Sequence, residues 1–182
     1  MTLPIDTDRL IIRRFTKADI DDIIEFTADP SVSRETTSIQ REDRSRVAEY
    51  VETQNGLSLF EAGKCVDLAV ELRETGKVIG LLSFVGNGER QGEIGWGFGI
   101  DHRGRGLATE AARGLMSYLF EGCGYHRVFA GTVHTNTRSW MLMERLGMRK
   151  EAHFVKAHVP AEPGKEWIDT VRYATLAEEW SC

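Results

Sequence analysis

The chain is 182 residues long, enough for one domain that buries a sizeable core. Its composition, 41% hydrophobic and 28% charged, is that of a soluble globular protein, and a formal net charge of −5 argues against binding nucleic-acid phosphates as its main task. Cys65, Cys123 and Cys182 lie far apart with no Cys-x-x-Cys pair, and the histidines form no His-Glu-x-x-His, so neither a disulfide framework nor a metal is expected. No apolar stretch reaches membrane-spanning length and no signal peptide opens the sequence. The expected setting is the cytoplasm, with no membrane or nucleic-acid partner.

Residues 9–15, rich in Leu and Ile, read as a first strand. Thr16 follows as an N-cap, with Asp19 three residues on in a capping-box arrangement, and Ile20, Ile23, Ile24 and Phe26 form the apolar stripe of a helix. Asp29-Pro30 ends it. A polar segment over residues 31–44 leads to a second helix over about residues 45–54, extended or broken near Asn55-Gly56. Residues 66–73 and 78–85 are strands around the turn Glu74-Thr75-Gly76-Lys77. Gly86-Asn87-Gly88 turns the chain into a strand over residues 93–100. A helix over 107–120 and a strand over 127–133 come next, then a short helix over 136–146 stopped by Gly147. Strands over 149–159 and 166–176 flank a loop at 160–164. This order predicts a mixed α/β sheet with helices on its faces.

The most informative stretch is Asp101-His102-Arg103-Gly104-Arg105-Gly106-Leu107-Ala108-Thr109-Glu110, between a strand and a helix. Two glycines let a ligand approach the backbone, the first helix amides lack partners, and Arg103 and Arg105 add cations. A diphosphate suits such a place, although an arginine-rich turn capped by glycines would look the same. Thr109 stands where a Rossmann fingerprint needs Gly or Ala, and no Gly-Lys-Ser or Gly-Lys-Thr of a Walker loop occurs. In the preceding strand Gly95, Gly97 and Gly99 alternate with Ile94, Trp96, Phe98 and Ile100, so one face is apolar and the other bare. A ligand arm could lie along the bare face, or a helix could pack on it. Glu93 shares that face if no bulge intervenes.

A second constellation is Asn136-Thr137-Arg138-Ser139, followed by Met143-Glu144-Arg145-Leu146-Gly147-Met148. Asn136 suits an N-cap, and Ser139 and Met143 share one helix face. Taken in order, the strand, Arg-Gly-x-Gly-x-Ala-Thr-Glu-Ala, and Asn-x-x-Ser before Leu-Gly-Met resemble the GNAT superfamily of N-acetyltransferases. The branch of ribosomal-protein N-terminal acetyltransferases (RimJ/RimL type) is similar also in the opening Thr-Asp-Arg-Leu-Ile-Ile-Arg-Arg-Phe and the closing Trp-Ile-Asp-Thr-Val-Arg-Tyr. The resemblance implies a single domain over residues 1–182. Its sheet would be mostly antiparallel and splayed, with about six to seven strands and about four helices.

The resemblance also implies the chemistry. Acetyl-CoA would be the cosubstrate, its pyrophosphate on the amides of Arg103, Gly104, Arg105, Gly106, Leu107, Ala108 and Thr109. Its pantetheine would run beside Phe98, Gly99 and Ile100, with Asn136 and Ser139 near the thioester. Attack by an amine needs a base, for which Glu93 comes first and His134 second, and a backbone donor for the oxyanion. Many members carry a tyrosine acid where Met143 stands, so Ser139, one turn earlier, is what remains to contact the sulfur. Asp101 replaces a common Gln or Arg, and His102 beside it is expected in solvent. Asp169 is read as structural or as acceptor wall, and residues 34–46 as a solvated segment with a lesser claim to the acceptor. The favoured acceptor is a protein N-terminal α-amine. A small-molecule amine (polyamine, amino acid or antibiotic) and a non-catalytic acyl-CoA-binding module are the alternatives, and a homodimer is compatible with the resemblance. With no Gly-x-Ser-x-Gly, a serine hydrolase is set aside.

Overall fold

A computed structural model of the protein describes residues 3–28, 32, 43–159 and 166–181. Eight strands form one sheet: β1 (Ile5–Asp6), β2 (Leu10–Arg13), β3 (Cys65–Leu72), β4 (Lys77–Gly86), β5 (Gln91–Phe98), β6 (Arg127–Val133), β7 (Arg149–His158) and β8 (Ile168–Leu176). Their order is β1-β2-β3-β4-β5-β6-β8-β7, antiparallel throughout except at β5–β6. The helices are α1 (Ile20–Thr27), α2 (Arg44–Gly56), α3 (Leu107–Ser117), extended by a wider turn over Tyr118–Gly122, and α4 (Thr137–Arg145). The mixed, mostly antiparallel sheet and the four helices among the described residues agree with expectation. The strand count is one higher, because the two-residue β1 has too few residues to show a period.

Local chemistry sets the boundaries. The Thr16 N–H donates to the Asp19 carboxylate at 2.6 Å, as the capping box predicts, but the first turn (Lys17–Asp19) is 3-10 rather than α. Burial pushes the Asp19 carboxyl up, yet hydrogen bonds from Arg13 and Thr16 outweigh it and hold the group below the usual carboxylate range. Gly147 stops α4 in the left-handed region, with φ +79. Ile20, Ile23 and Phe26 of α1 are buried and Ile24 half-buried, so the stripe faces the sheet as read. Asp29, Pro30 and the polar residues 33–42 lie outside the described residues, as does the loop at 160–164. Among the described residues no helix is long and apolar enough to cross a membrane.

Two cores flank the sheet. One joins Phe15, Ile23, Phe26, Val47 and Val51 of the α1–α2 side to Ala69 and Leu81; the other joins Leu107, Leu115, Leu119, Leu142 and Met143 of the α3–α4 side to Ile94, Val128 and Tyr173. What positions the site is the sheet's centre. β5 and β6 pair only from Gln91↔Arg127 to Glu93↔Phe129. Beyond that rung β5 stays with β4 as far as Gly80↔Phe98, and β6 stays with β8 as far as Val133↔Thr170. The two halves of the sheet therefore part, and a wedge opens between residues 94–98 and 130–133.

Candidate active site

β5 and β6 are parallel, and soon after its carboxyl end each chain enters a helix, α3 or α4. Ligands of α/β sheets bind at such points, where strand ends diverge and helix N-termini converge. On the α3 side, a 3-10 turn over Ile100–His102 ends the strand run two residues early: His102 N donates to Gly99 O at 3.1 Å and Arg103 N to Ile100 O at 3.2 Å. The Arg103 amide expected in the cradle is thus spent, and its Nε donates to Phe98 O at 3.0 Å. Gly104 and Gly106 adopt φ +74 and +77, and none of the described residues lies within 4 Å of a Cβ built at Gly104. Glu110 N donates to Gly106 O at 3.0 Å and begins α3, which leaves the amides of Gly106, Leu107, Ala108 and Thr109 without partners inside the helix. Leu107 is fully buried and anchors the turn. The donors, the open space and the exposed Arg105 fit a diphosphate. His102, expected in solvent, is half-buried, and its Nδ1 is buried with no partner among the described residues.

The Gly99 backbone is bonded within the protein, its N–H donating to Ile79 O at 3.0 Å and its carbonyl accepting from His102 N at 3.1 Å. Asn87 N donates to Gln91 O on the same side, so the odd-numbered residues of β5 bond to β4. The backbone groups of Trp96 and Phe98 then face the wedge, and the Phe98 carbonyl there already serves Arg103. Phe98 is buried, and Ile100 is exposed at the mouth. The β4–β5 register runs without a bulge, so Glu93 does share the bare face with Gly95, Gly97 and Gly99. A helix does pack there, at Gly99, where an added Cβ would lie 3.0 Å from the Phe26 Cβ of α1; at Gly95 only Ser83 is near, at 3.5 Å.

Glu93 sits on the last paired rung, half-exposed, with Oε1 3.6 Å from a Cβ built at Gly131. Among the described residues its carboxylate pairs with no cation. Next to it lies a network that sequence reasoning missed. Buried Asp67 accepts from Ser83 Oγ (2.6 Å) and Tyr50 Oη (2.5 Å), with Cys65 Sγ 3.8 Å away, and its N–H donates to Gln54 Oε1 at 2.8 Å. Only the register Asp67↔Ser83 brings these residues together. Cys65 reaches the surface, but desolvation and then the Asp67 carboxylate push its thiol up to about 11. Protonated at neutral pH, it is a poor nucleophile.

On the other side of the wedge, Asn136 Oδ1 accepts from Ser139 N at 3.2 Å and caps α4. Ser139 is half-buried, and its hydroxyl has no hydrogen bond among the described residues. Met143, one turn on, is buried in the core. His134 lies beyond the end of β6, exposed and apart from the rung that carries Glu93. Its N–H donates to Asp169 O at 2.8 Å and its ring stacks on His153 at 5.2 Å, while His153 Nε2 lies 2.6 Å from Asp169 Oδ2. The Lys156 N–H, at 2.8 Å, and then His153 hold the Asp169 carboxyl below the usual range. The site residues thus flank one wedge, but the two candidate bases do not meet.

The acetyltransferase (GNAT) domain family matches residues 9–149. The chain belongs to the GNAT family of acetyltransferases. Its relatives include the N-acetyltransferase YnaD of Bacillus subtilis (strain 168), 32% identical over 97% of this chain and 99% of that one. A GNAT-family acetyltransferase structure from Bacillus anthracis is similar with a TM-score of 0.83 and 31% identity, covering 97% of this chain and 100% of the other. The microcin C7 self-immunity acetyltransferase MccE, solved with acetyl-CoA and AMP, shares the fold with a TM-score of 0.76 and 16% identity over 93% of each chain.

Proposed function

We propose that this GNAT acetyltransferase moves an acetyl group from acetyl-CoA to a protein N-terminal α-amine by direct attack in a ternary complex. The wedge between β5 and β6, with an anion cradle at its mouth, carries the reading. Acetyl-CoA would supply an activated thioester, its diphosphate held by the amides from Gly104 to Thr109 and its arm along Trp96 and Phe98. Glu93, on the α1–α2 face of the wedge, accepts the proton of the incoming ammonium directly or through a water. His134 is the second candidate, farther along β6. Backbone N–H groups of Trp96 and Phe98 are the donors available to negative charge developing at the carbonyl. Ser139, at the first turn of α4, hydrogen-bonds the sulfur and positions it.

Two observations favour direct attack and this acceptor. Burial and the Asp67 carboxylate disfavour the thiolate of Cys65, the thiol on the Glu93 face, which makes it a poor acyl carrier. An α-amine of pKa about 8 loses its proton far more readily than a lysine near ~10.4, which suits a site with no strong acid at Met143. Thermal unfolding tests the cosubstrate. Acetyl-CoA at ~100 times its Kd stabilises the native state by about 2.7 kcal/mol, which raises Tm by roughly 5–10 °C for a chain of this size. An unchanged Tm at millimolar acetyl-CoA contradicts the proposal.

A further inference from the structure

The opening Thr-Asp-Arg-Leu lies far in sequence from the cofactor loop, yet Thr7 and Arg9 are bonded to it. The Glu110 carboxylate, in the first turn of α3, accepts from Thr7 Oγ1 (2.6 Å), Arg9 N (2.8 Å) and Arg9 Nε (2.6 Å), and Arg9 Nη2 pairs with it at 2.6 Å. Arg9 Nη1 then donates to the carbonyl of Arg105 at 3.1 Å. The hairpin that carries Arg9 is fixed independently. Arg73 N donates to Arg9 O at 3.0 Å, and Gly114, one turn beyond Glu110, has no side chain because Thr7 Cγ2 lies 2.9 Å from where a Cβ would stand.

We infer that Arg9, held by Glu110, is a positioning residue that presets the diphosphate-binding loop by fixing the peptide between Arg105 and Gly106. A trans peptide points its C=O and N–H in opposite directions. Holding the Arg105 carbonyl towards Arg9 therefore aims the Gly106 N–H away from Arg9, out of the loop. Without that bond only Arg105 ψ and the permissive left-handed φ of Gly106 hold the peptide, and a flip would turn a carbonyl towards the anion. The inference rests on the proposed binding of acetyl-CoA. It assigns Arg9 no contact with the ligand. Arg9 is about half exposed (49%) while Glu110 is only 18% exposed, but Glu110 keeps its bonds to Thr7 Oγ1 and Arg9 N when the guanidinium is removed, so the latch acts on the loop rather than on the fold.

The test compares wild type with Arg9→Ala and Glu110→Gln by calorimetry with acetyl-CoA, and by steady-state kinetics with acetyl-CoA and with S-acetylpantetheine, which lacks the diphosphate. Arg9→Ala should raise the Kd for acetyl-CoA about tenfold, in line with the ordering cost of a loop that is no longer preset. It should leave kcat at saturating acetyl-CoA, kcat/KM with S-acetylpantetheine and the Tm of the free protein nearly unchanged. Glu110→Gln should weaken acetyl-CoA in the same direction. In the free Arg9→Ala protein the 15N order parameter of Gly106 should drop from about 0.85 towards 0.6. An unchanged Kd in Arg9→Ala overturns the inference, as does an equal loss with both donors. Tighter binding in Glu110→Gln also overturns it, since Arg9 would then be a phosphate ligand that Glu110 restrains. A wild-type protein that binds no acetyl-CoA instead overturns the functional reading, and this role with it.

Discussion

Gly106→Glu should raise the Kd for acetyl-CoA by at least about 100-fold while the protein stays folded. Gly106 adopts φ +77, where an L side chain costs roughly 1–2 kcal/mol, and it is the residue from which α3 starts. The introduced carboxylate would stand at the end of a helix dipole that favours anions, and it would repel a diphosphate there. An added Cβ would also lie 3.6 Å from Arg9 Nη2, so the new acid competes with Glu110 for that guanidinium. The three effects act on one loop, outside both cores. Calorimetry with acetyl-CoA and the circular dichroism spectrum separate lost binding from lost structure. A variant that keeps wild-type affinity would show that the loop is a turn and nothing more.

Glu93→Gln should lower kcat about 10²–10³-fold and leave the Kd for acetyl-CoA within a factor of two or so, the pattern of a missing general base. The substitution keeps the shape of the side chain at the β5–β6 rung and breaks no ion pair among the described residues, so folding should be unaffected. Part of the lost rate should return as pH rises towards the pKa of the acceptor amine, about 8, because solvent then does the deprotonation. His134→Ala should lower kcat far less. If the two effects are reversed, the base is His134, which stacks on His153 beside Asp169, and Glu93 serves the acceptor or the fold.

Much of this site can be read in the sequence because its parts are local. The capping box at Thr16–Asp19, the left-handed Gly106 and Gly147, and the N-cap at Asn136 each depend on neighbours within a few residues. β6 has the bounds its residues predict, since Arg127–Val133 is an isolated β-rich run between a glycine turn and the Asn136 cap. What was missed depends on residues far apart. β1 exists only because Ile5 finds Ile12 across a hairpin. β5 was placed two residues too late at both ends, at its carboxyl end because Ile100 continues the apolar alternation, although the chain has already turned into the 3-10 segment that takes up the Arg103 amide. The Asp67 network needs the register of β3 on β4, and the Arg9–Glu110 latch joins residues 101 apart. Periodicity reports which face a residue is on, and carries no information about which distant side chain meets it there.

The most direct measurement is mass spectrometry of peptides incubated with the protein and acetyl-CoA. One peptide carries a free N-terminus and no lysine, the other a blocked N-terminus and one lysine. Acetylation of the first, at least tenfold faster than the second and abolished by Gly106→Glu, is the result predicted here. Acetyl-CoA binding with no acetyl transferred to either peptide, nor to a panel of small amines, would contradict the assignment of the wedge as a catalytic site.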